Sequence, residues 1–233
     1  MQTILVDCRY YEEIFGIWGK DFHILPSFYH KKIAEPVAAH PDMSLFHADG
    51  KNFICAPEAY EYYSSLLSPM GVKLVQGNHT LSGHYPKDIA YNVARAGNHL
   101  FGHPSADPAV LRFAEESGFL FHKIKQGYAK CSSCIVSENA LITADSSVFR
   151  TAQEAGLSVL KISPGGVLLP GYDCGFIGGA SGLLPDGRLL FFGDVSRHPD
   201  GSAIFKFCAL HGVSVKDIKN KPLTDIGTIL SID

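Results

Sequence analysis

Asn139-Ala140-Leu141-Ile142-Thr143-Ala144 is a short apolar run behind a turn-forming residue, the pattern of a buried strand. Asp145 follows where a helix cap belongs, and Ser146 to Ala155 then reads as a helix. Gly156 supplies the left-handed stop that a helix end needs at no steric cost. Leu157 to Ile162 alternates apolar and polar side chains, as a half-buried strand does. Ser133 to Val136 ahead of the run supplies a further strand, so the unit is strand–strand–helix–strand.

The same order recurs on both sides, at intervals of roughly 40–50 residues, the spacing of a repeat architecture. Asn52-Phe53-Ile54-Cys55-Ala56-Pro57, Asn98-His99-Leu100-Phe101-Gly102-His103 and Arg188-Leu189-Leu190-Phe191-Phe192-Gly193 are the equivalent buried strands. Helices follow at Glu58 to Met70, Pro108 to Ser117 and Ser202 to His211, with apolar positions at helical spacing, as in Val110, Leu111 and Ala114. Ser105 or Asp107, and Asp200, stand at cap positions; Gly71, Gly118 and Gly212 end the helices. Val72 to Val75, Phe119 to Ile124 and Val213 to Ile218 are the alternating strands, and Met43 to Ala48, Ile89 to Ala94 and Gly182 to Leu184 the opening ones. The N-terminal segment is a partial fifth unit: strand Thr3 to Val6, helix Tyr10 to Trp18, strand Phe22 to Leu25. Gly227 to Ile232 is the strand that completes it and closes a ring. The chain is therefore expected to be one α/β domain over 1–233.

Composition narrows the function classes. Hydrophobic residues make up 46% and charged residues 18% of 233 positions, which excludes disorder. A formal net charge of -3 without runs of like charge speaks against nucleic acid as a partner. Met1 to Asp7 lacks the basic start of a signal peptide, and Gly166 to Leu184, although almost uncharged, is broken by Pro170 and repeated glycines, so no membrane span is expected. The expected compartment is the cytoplasm, with the six cysteines as free thiols.

This order of elements resembles the pentein fold, the five-bladed α/β propeller of guanidino-group-modifying enzymes, and is most similar to an uncharacterised family within that fold group. The resemblance spans nearly the whole chain through its repeats. It implies a substrate on the ring axis, acidic residues that grip a guanidinium by charge-assisted bidentate bonds, a histidine acid/base, and a cysteine nucleophile near the C-terminus. Pro41-Asp42 opens the second unit, where the superfamily often carries an acidic Pro-Asp segment, and Gly83 to Asp88-Ile89 resembles its Gly-Asp-Val segment. Asp88 and Asp42 are thus the implied ligand-binding acids. Gly127-Tyr128-Ala129-Lys130-Cys131-Ser132 opens the fourth unit, with Tyr128 where the superfamily places its histidine. Asp225-Ile226-Gly227-Thr228-Ile229-Leu230 occupies the place of the nucleophilic cysteine and contains none.

Two of the three central catalytic positions therefore depart from the pattern. Cys131 is the candidate substitute nucleophile, with Lys130 beside it to lower its pKa; its alternative and plainer reading is a small buried hydrophobe. Tyr128, Lys130 and Asp173 are candidate polar contacts for a ligand, and Cys174 a second thiol near a strand start. Cys131 and Cys134 form a C-x-x-C in or before a strand, without the helix or the further ligands that redox or zinc chemistry requires. His79 and His84, or His99 and His103, lie in loops and at strand ends, so neither a metal nor another cofactor is expected. Gly178-Gly179-Ala180-Ser181-Gly182 reads as a tight turn at the ring centre or as a close backbone approach to a ligand. Two functions stay open: an enzyme acting on a guanidino- or amide-bearing metabolite, and a catalytically inactive pentein that binds a ligand or protein.

Overall fold

A computed structural model describes residues 1–232. The first unit comprises β1 (Thr3–Val6), α1 (Tyr11–Trp18) and β2 (His23–Pro26). A single helical turn, α2 (Pro41–Ser44), leads into β3 (Leu45–Asp49), β4 (Asn52–Cys55), α3 (Tyr60–Leu67) and β5 (Lys73–Gln76). The third unit is β6 (Ala94–Ala96), β7 (His99–Gly102), α4 (Pro108–Glu116) and β8 (Leu120–Lys123). The fourth is β9 (Cys134–Ser137), β10 (Ala140–Thr143), α5 (Ser146–Glu154) and β11 (Ser158–Lys161). The last is β12 (Ser181–Leu183), β13 (Arg188–Phe191), α6 (Gly201–Leu210) and β14 (Ser214–Asp217), followed by β15 (Leu230–Ser231).

These strands make five three-stranded sheets of one topology, the middle strand antiparallel to the opening strand and parallel to the closing one. In the fourth sheet Leu141 stands opposite Ile135 on β9 and Val159 on β11. The first sheet is completed from the far end of the chain: β15 pairs antiparallel with β1, Ile4 against Ser231 and Leu5 against Leu230. Residues of β3, β6, β9, β12 and β15 line one shared cavity of about 400 Å³, so the opening strands surround a common axis. The protein is a five-bladed α/β propeller with the pentein arrangement.

Local physics accounts for each blade. The middle strands are buried on both faces between helix and neighbouring blade, which is why they read as continuous apolar runs. Asp107 and Asp145 accept backbone N–H bonds at the starts of α4 and α5. Gly118 and Gly156 take φ of 73° and 87° beyond the same helices. Adjacent blades share their cores: Phe101 packs in one cluster with Leu141 and Val148, and Ile142 in another with Phe191 and Ile204. Each such buried phenylalanine contributes about 1.5–3 kcal/mol.

The structure departs from sequence expectation where the chain dips toward the axis. Ile89 to Val93 is not strand; β6 starts at Ala94, and Asn92 N instead turns back to Ile89 O at 3.0 Å. Met43 belongs to α2, and of Gly227 to Ile232 only Leu230–Ser231 is strand. Ser105 is not the cap of α4, a role held by Asp107; Asp200 does not cap α6 with its side chain, which accepts Ser163 N from the preceding blade at 2.6 Å. No helix of the described residues is long and apolar enough to cross a membrane.

Candidate functional site

The segment before each opening strand of four blades, and the Asp225 to Thr228 loop before β15, converge on the axis. Cys131 lies at the centre, only 2% exposed. Its thiol donates to Asp42 Oδ2 at 3.0 Å and accepts from Asn92 Nδ2 at 3.2 Å. The Asn92 carbonyl in turn receives Lys130 N at 2.7 Å, which is why Ile89 to Asn92 abandons strand geometry: the carboxamide is spent on holding the Cys131 loop. Asp225 is locked by Phe176 N at 2.9 Å and Gly227 N at 3.0 Å. His40, immediately before Pro41, completes the cluster. Its Nδ1 lies 3.8 Å from Asp225 Oδ1 and its Nε2 4.0 Å from Asp7 Oδ2, and neither ring nitrogen has a hydrogen-bond partner. Asp7 is held by a forked contact from Arg9, 2.6 Å from Nη2 and 3.0 Å from Nε.

Glycine makes this density of side chains attainable. A Cβ at Gly179 would overlap the Asp225 carboxylate, and one at Gly227, where φ is 66°, would overlap the His40 ring. Gly179 N donates to Cys131 O, and Gly179 O accepts Ile226 N and Thr228 N. The Gly178–Gly182 loop is thus a tight packing element at the ring centre, its carbonyls and amides committed to neighbouring loops.

Burial controls the protonation states. It pushes Asp42 up to about 6, against the opposing pull of Lys130, and Asp225 up to about 7, with the Asp42 charge adding to the rise. It drives His40 down to about 3, a neutral imidazole at physiological pH. Burial, then Asp42 and Asp225, hold the Cys131 thiol well above its usual range. The expectation that Lys130 lowers this thiol is therefore corrected. Lys130 Nζ points away, to Thr228 Oγ1 at 2.7 Å, while two carboxyl groups face the sulfur. Cys134 is buried too, its thiol pushed up to about 11, and all six cysteines are free.

The other candidates divide by face of the ring. A cavity of about 150 Å³ reaches the cluster from one side, with Cys131, His40 and Asp225 at its inner end and Tyr128, Tyr172 and Phe176 among its walls. Tyr128 meets Asp88, its hydroxyl donating to Asp88 Oδ2 at 2.7 Å; burial and this bond raise the phenol. Asp88 acts behind the wall, since it is 5% exposed and outside the residues that line the cavity. Lys130 and Asp42 face the larger cavity on the opposite side, together with Arg95. Asp173 is exposed and lines neither cavity, whereas its neighbours Tyr172 and Cys174 line the smaller one. His99 pairs not with His103 but with His122, nitrogen to nitrogen at 2.8 Å. His40, Asn92 and the role of Asp225 escaped the sequence; the one local signal was His40 standing directly before the Pro41-Asp42 segment.

Several solved structures share this architecture. A mutant of DDAH from Pseudomonas aeruginosa, complexed with citrulline, superposes with a TM-score of 0.57 at 10% identity over 93% of this chain and 91% of that one. Inosamine-phosphate amidinotransferase from Streptomyces griseus gives 0.59 at 10% identity over 100% and 94%. Agmatine deiminase from C. jejuni gives 0.52 at 9% identity over 95% and 91%. At these identities the likeness establishes the pentein fold. No curated protein sequence matches the chain. The profile of a family of unknown function (DUF6873) matches residues 5–230, and with that span the chain belongs to this family, one built on the pentein propeller.

Proposed function

We propose that this protein performs thiol-dependent chemistry, as a hydrolase or transferase, on a small polar metabolite bearing a guanidino or amide group. The observation that carries the reading is the meeting of Cys131, His40 and Asp225 at the end of one aromatic-walled cavity. A planar cation entering there slides between Tyr128, Tyr172 and Phe176 and reaches Asp225, with Asp42 directly beyond the sulfur. Asp88 fixes the Tyr128 wall, and Asp173, exposed between the cavity residues Tyr172 and Cys174, would meet the outer end of a longer ligand. Lys130 tempers the charge of Asp42 from the far side.

The cation also removes the obstacle to chemistry. Asp42 and Asp225 oppose a Cys131 thiolate; once a guanidinium lies against Asp225, that charge is offset and the thiol proton passes to neutral His40. Sulfur then bonds to the amidino carbon, a C–N bond breaks, and the leaving nitrogen takes the proton from His40. Water in a hydrolase, or an acceptor amine in a transferase, displaces the sulfur and restores the thiol. The chain would act as one cytoplasmic domain, without nucleic acid as a partner.

A second reading, a ligand-binding pentein without chemistry, is favoured by one observation: Cys131 is buried, its thiol bonded to Asp42 Oδ2 at 3.0 Å. One experiment separates the two. Intact-mass labelling compares 2-chloroacetamidine, a cationic electrophile, with neutral iodoacetamide. The enzyme reading expects faster modification of Cys131 by the amidine, lost in Asp225→Asn. Equal and slow labelling by both reagents would leave only the binding reading.

A further inference from the structure

We propose that His40, Cys131 and Asp225 form a buried binding site for one zinc-type divalent ion on the ring axis. One ligand atom from each of the three lies within 4.8 Å of the others. In a tetrahedral zinc site, bonds of about 2.0–2.3 Å put neighbouring ligand atoms roughly 3.3–3.8 Å apart. His40 Nδ1 and Asp225 Oδ1, at 3.8 Å, already meet that spacing, and the remaining separations close with shifts of about an ångström.

A second, independent observation points the same way. Both His40 nitrogens are fully buried without a hydrogen-bond partner, and so is Asp42 Oδ1, whose sister oxygen touches the Cys131 sulfur. Buried polar atoms are ordinarily paired, and an unpartnered His40 Nδ1 that faces Asp225 beside the Cys131 sulfur is what a cation would satisfy. The surroundings complete the pattern. His40 Nε2 stands 4.0 Å from Asp7, which Arg9 clamps; closing that gap to a hydrogen bond would give the carboxylate–histidine pairing that fixes a metal-binding imidazole with its other nitrogen toward the ion. Thiolate with imidazole and carboxylate favours zinc or cobalt over calcium or magnesium, which take oxygen ligands. Charge also closes: Cys131 thiolate and Asp225 carboxylate balance a dication, and the thiol proton leaves to solvent as the S–metal bond forms. This goes beyond the thiol chemistry proposed above and excludes it while the ion is bound, because the sulfur lone pair is then engaged.

The test uses the full chain, stripped with EDTA and titrated with Co²⁺. Expected are one ion per chain, intense visible bands of a tetrahedral complex, a near-ultraviolet thiolate-to-cobalt band, and displacement by Zn²⁺. Cys131→Ala and His40→Ala should each weaken binding at least tenfold, while His99→Ala, at the other close histidine pair, should leave it unchanged. No stoichiometric binding at micromolar Co²⁺ or Zn²⁺ overturns the proposal, as does binding that His99→Ala removes. If either axial variant fails to fold, the wild-type spectrum decides alone: weak octahedral bands without thiolate charge transfer overturn the site. Amidine labelling of the EDTA-treated protein tests the thiol chemistry separately, so either proposal can fail without the other.

Discussion

Replacing Asp42 by asparagine tests what holds Cys131 inert. The Asp42 carboxylate receives the thiol at 3.0 Å in a fully buried setting, and its charge follows burial as the cause of the raised thiol. With an effective dielectric constant of about 20, two charges about 4 Å apart interact by roughly 4 kcal/mol. Lys130 acts on the same carboxylate from the far side and offsets part of this. Taking about half, 2 kcal/mol corresponds to ~1.5 pKa units. The thiolate population then rises about 30-fold, while intrinsic nucleophilicity falls with a Brønsted slope of about 0.4–0.5, leaving alkylation about 5- to 10-fold faster. The assay is iodoacetamide labelling at pH 8 in EDTA, with Cys131 resolved from the other thiols by peptide mass. Unchanged or slower modification of Cys131 in Asp42→Asn, with the fold intact by circular dichroism, would refute the electrostatic account.

Four further outcomes are expected. Gly179→Ala should destabilise the fold by about 1–3 kcal/mol or more in urea melts, because its methyl group meets the Asp225 carboxylate in a site with no slack. Tyr128→Phe should cost about 1–3 kcal/mol by the same measurement, since it strips Asp88, 5% exposed, of its hydroxyl partner. Asp225 has a folded pKa near 7, above its unfolded value of 3.8; its stabilising share is complete below about pH 4 and is lost as pH rises through 7. Wild type should therefore lose ground to Asp225→Asn by about 1.4 kcal/mol per pH unit between pH 4 and 7, then level off, as read from urea midpoints in EDTA. His40→Gln should leave the resting labelling rate of Cys131 by iodoacetamide within twofold but abolish any preference for the amidine, a split measurable in one mass-spectrometric series.

The blades were legible in the sequence because their signals are local. Asn139 to Ile162 shows a buried strand, a cap, an amphipathic helix, a glycine and an alternating strand in succession, and each resolves where expected. The axis was less legible. Ile89 to Val93 has the composition of a strand, yet Asn92 spends its amide on another loop, a tertiary demand that local pattern cannot carry. The resemblance directed attention to Tyr128 and to the absence of cysteine after Asp225. The structure instead joins Cys131 from the fourth opening with His40 from the second and Asp225 from the last. Asp42 and Cys131 were legible as candidates but not as partners, because they stand 89 positions apart and meet only where the blades converge on the axis.

That closure orders events during synthesis. β1 emerges early, but the strand that completes its sheet lies more than two hundred residues downstream. The Asp225 to Thr228 loop comes immediately before that strand, so the last seam of the ring and the last wall of the axial cluster arrive together. A nascent chain stalled after α6 can build three complete blades, yet it lacks Asp225 and the loop that closes the axial cluster. Completion of the axial cluster is thereby tied to completion of the ring.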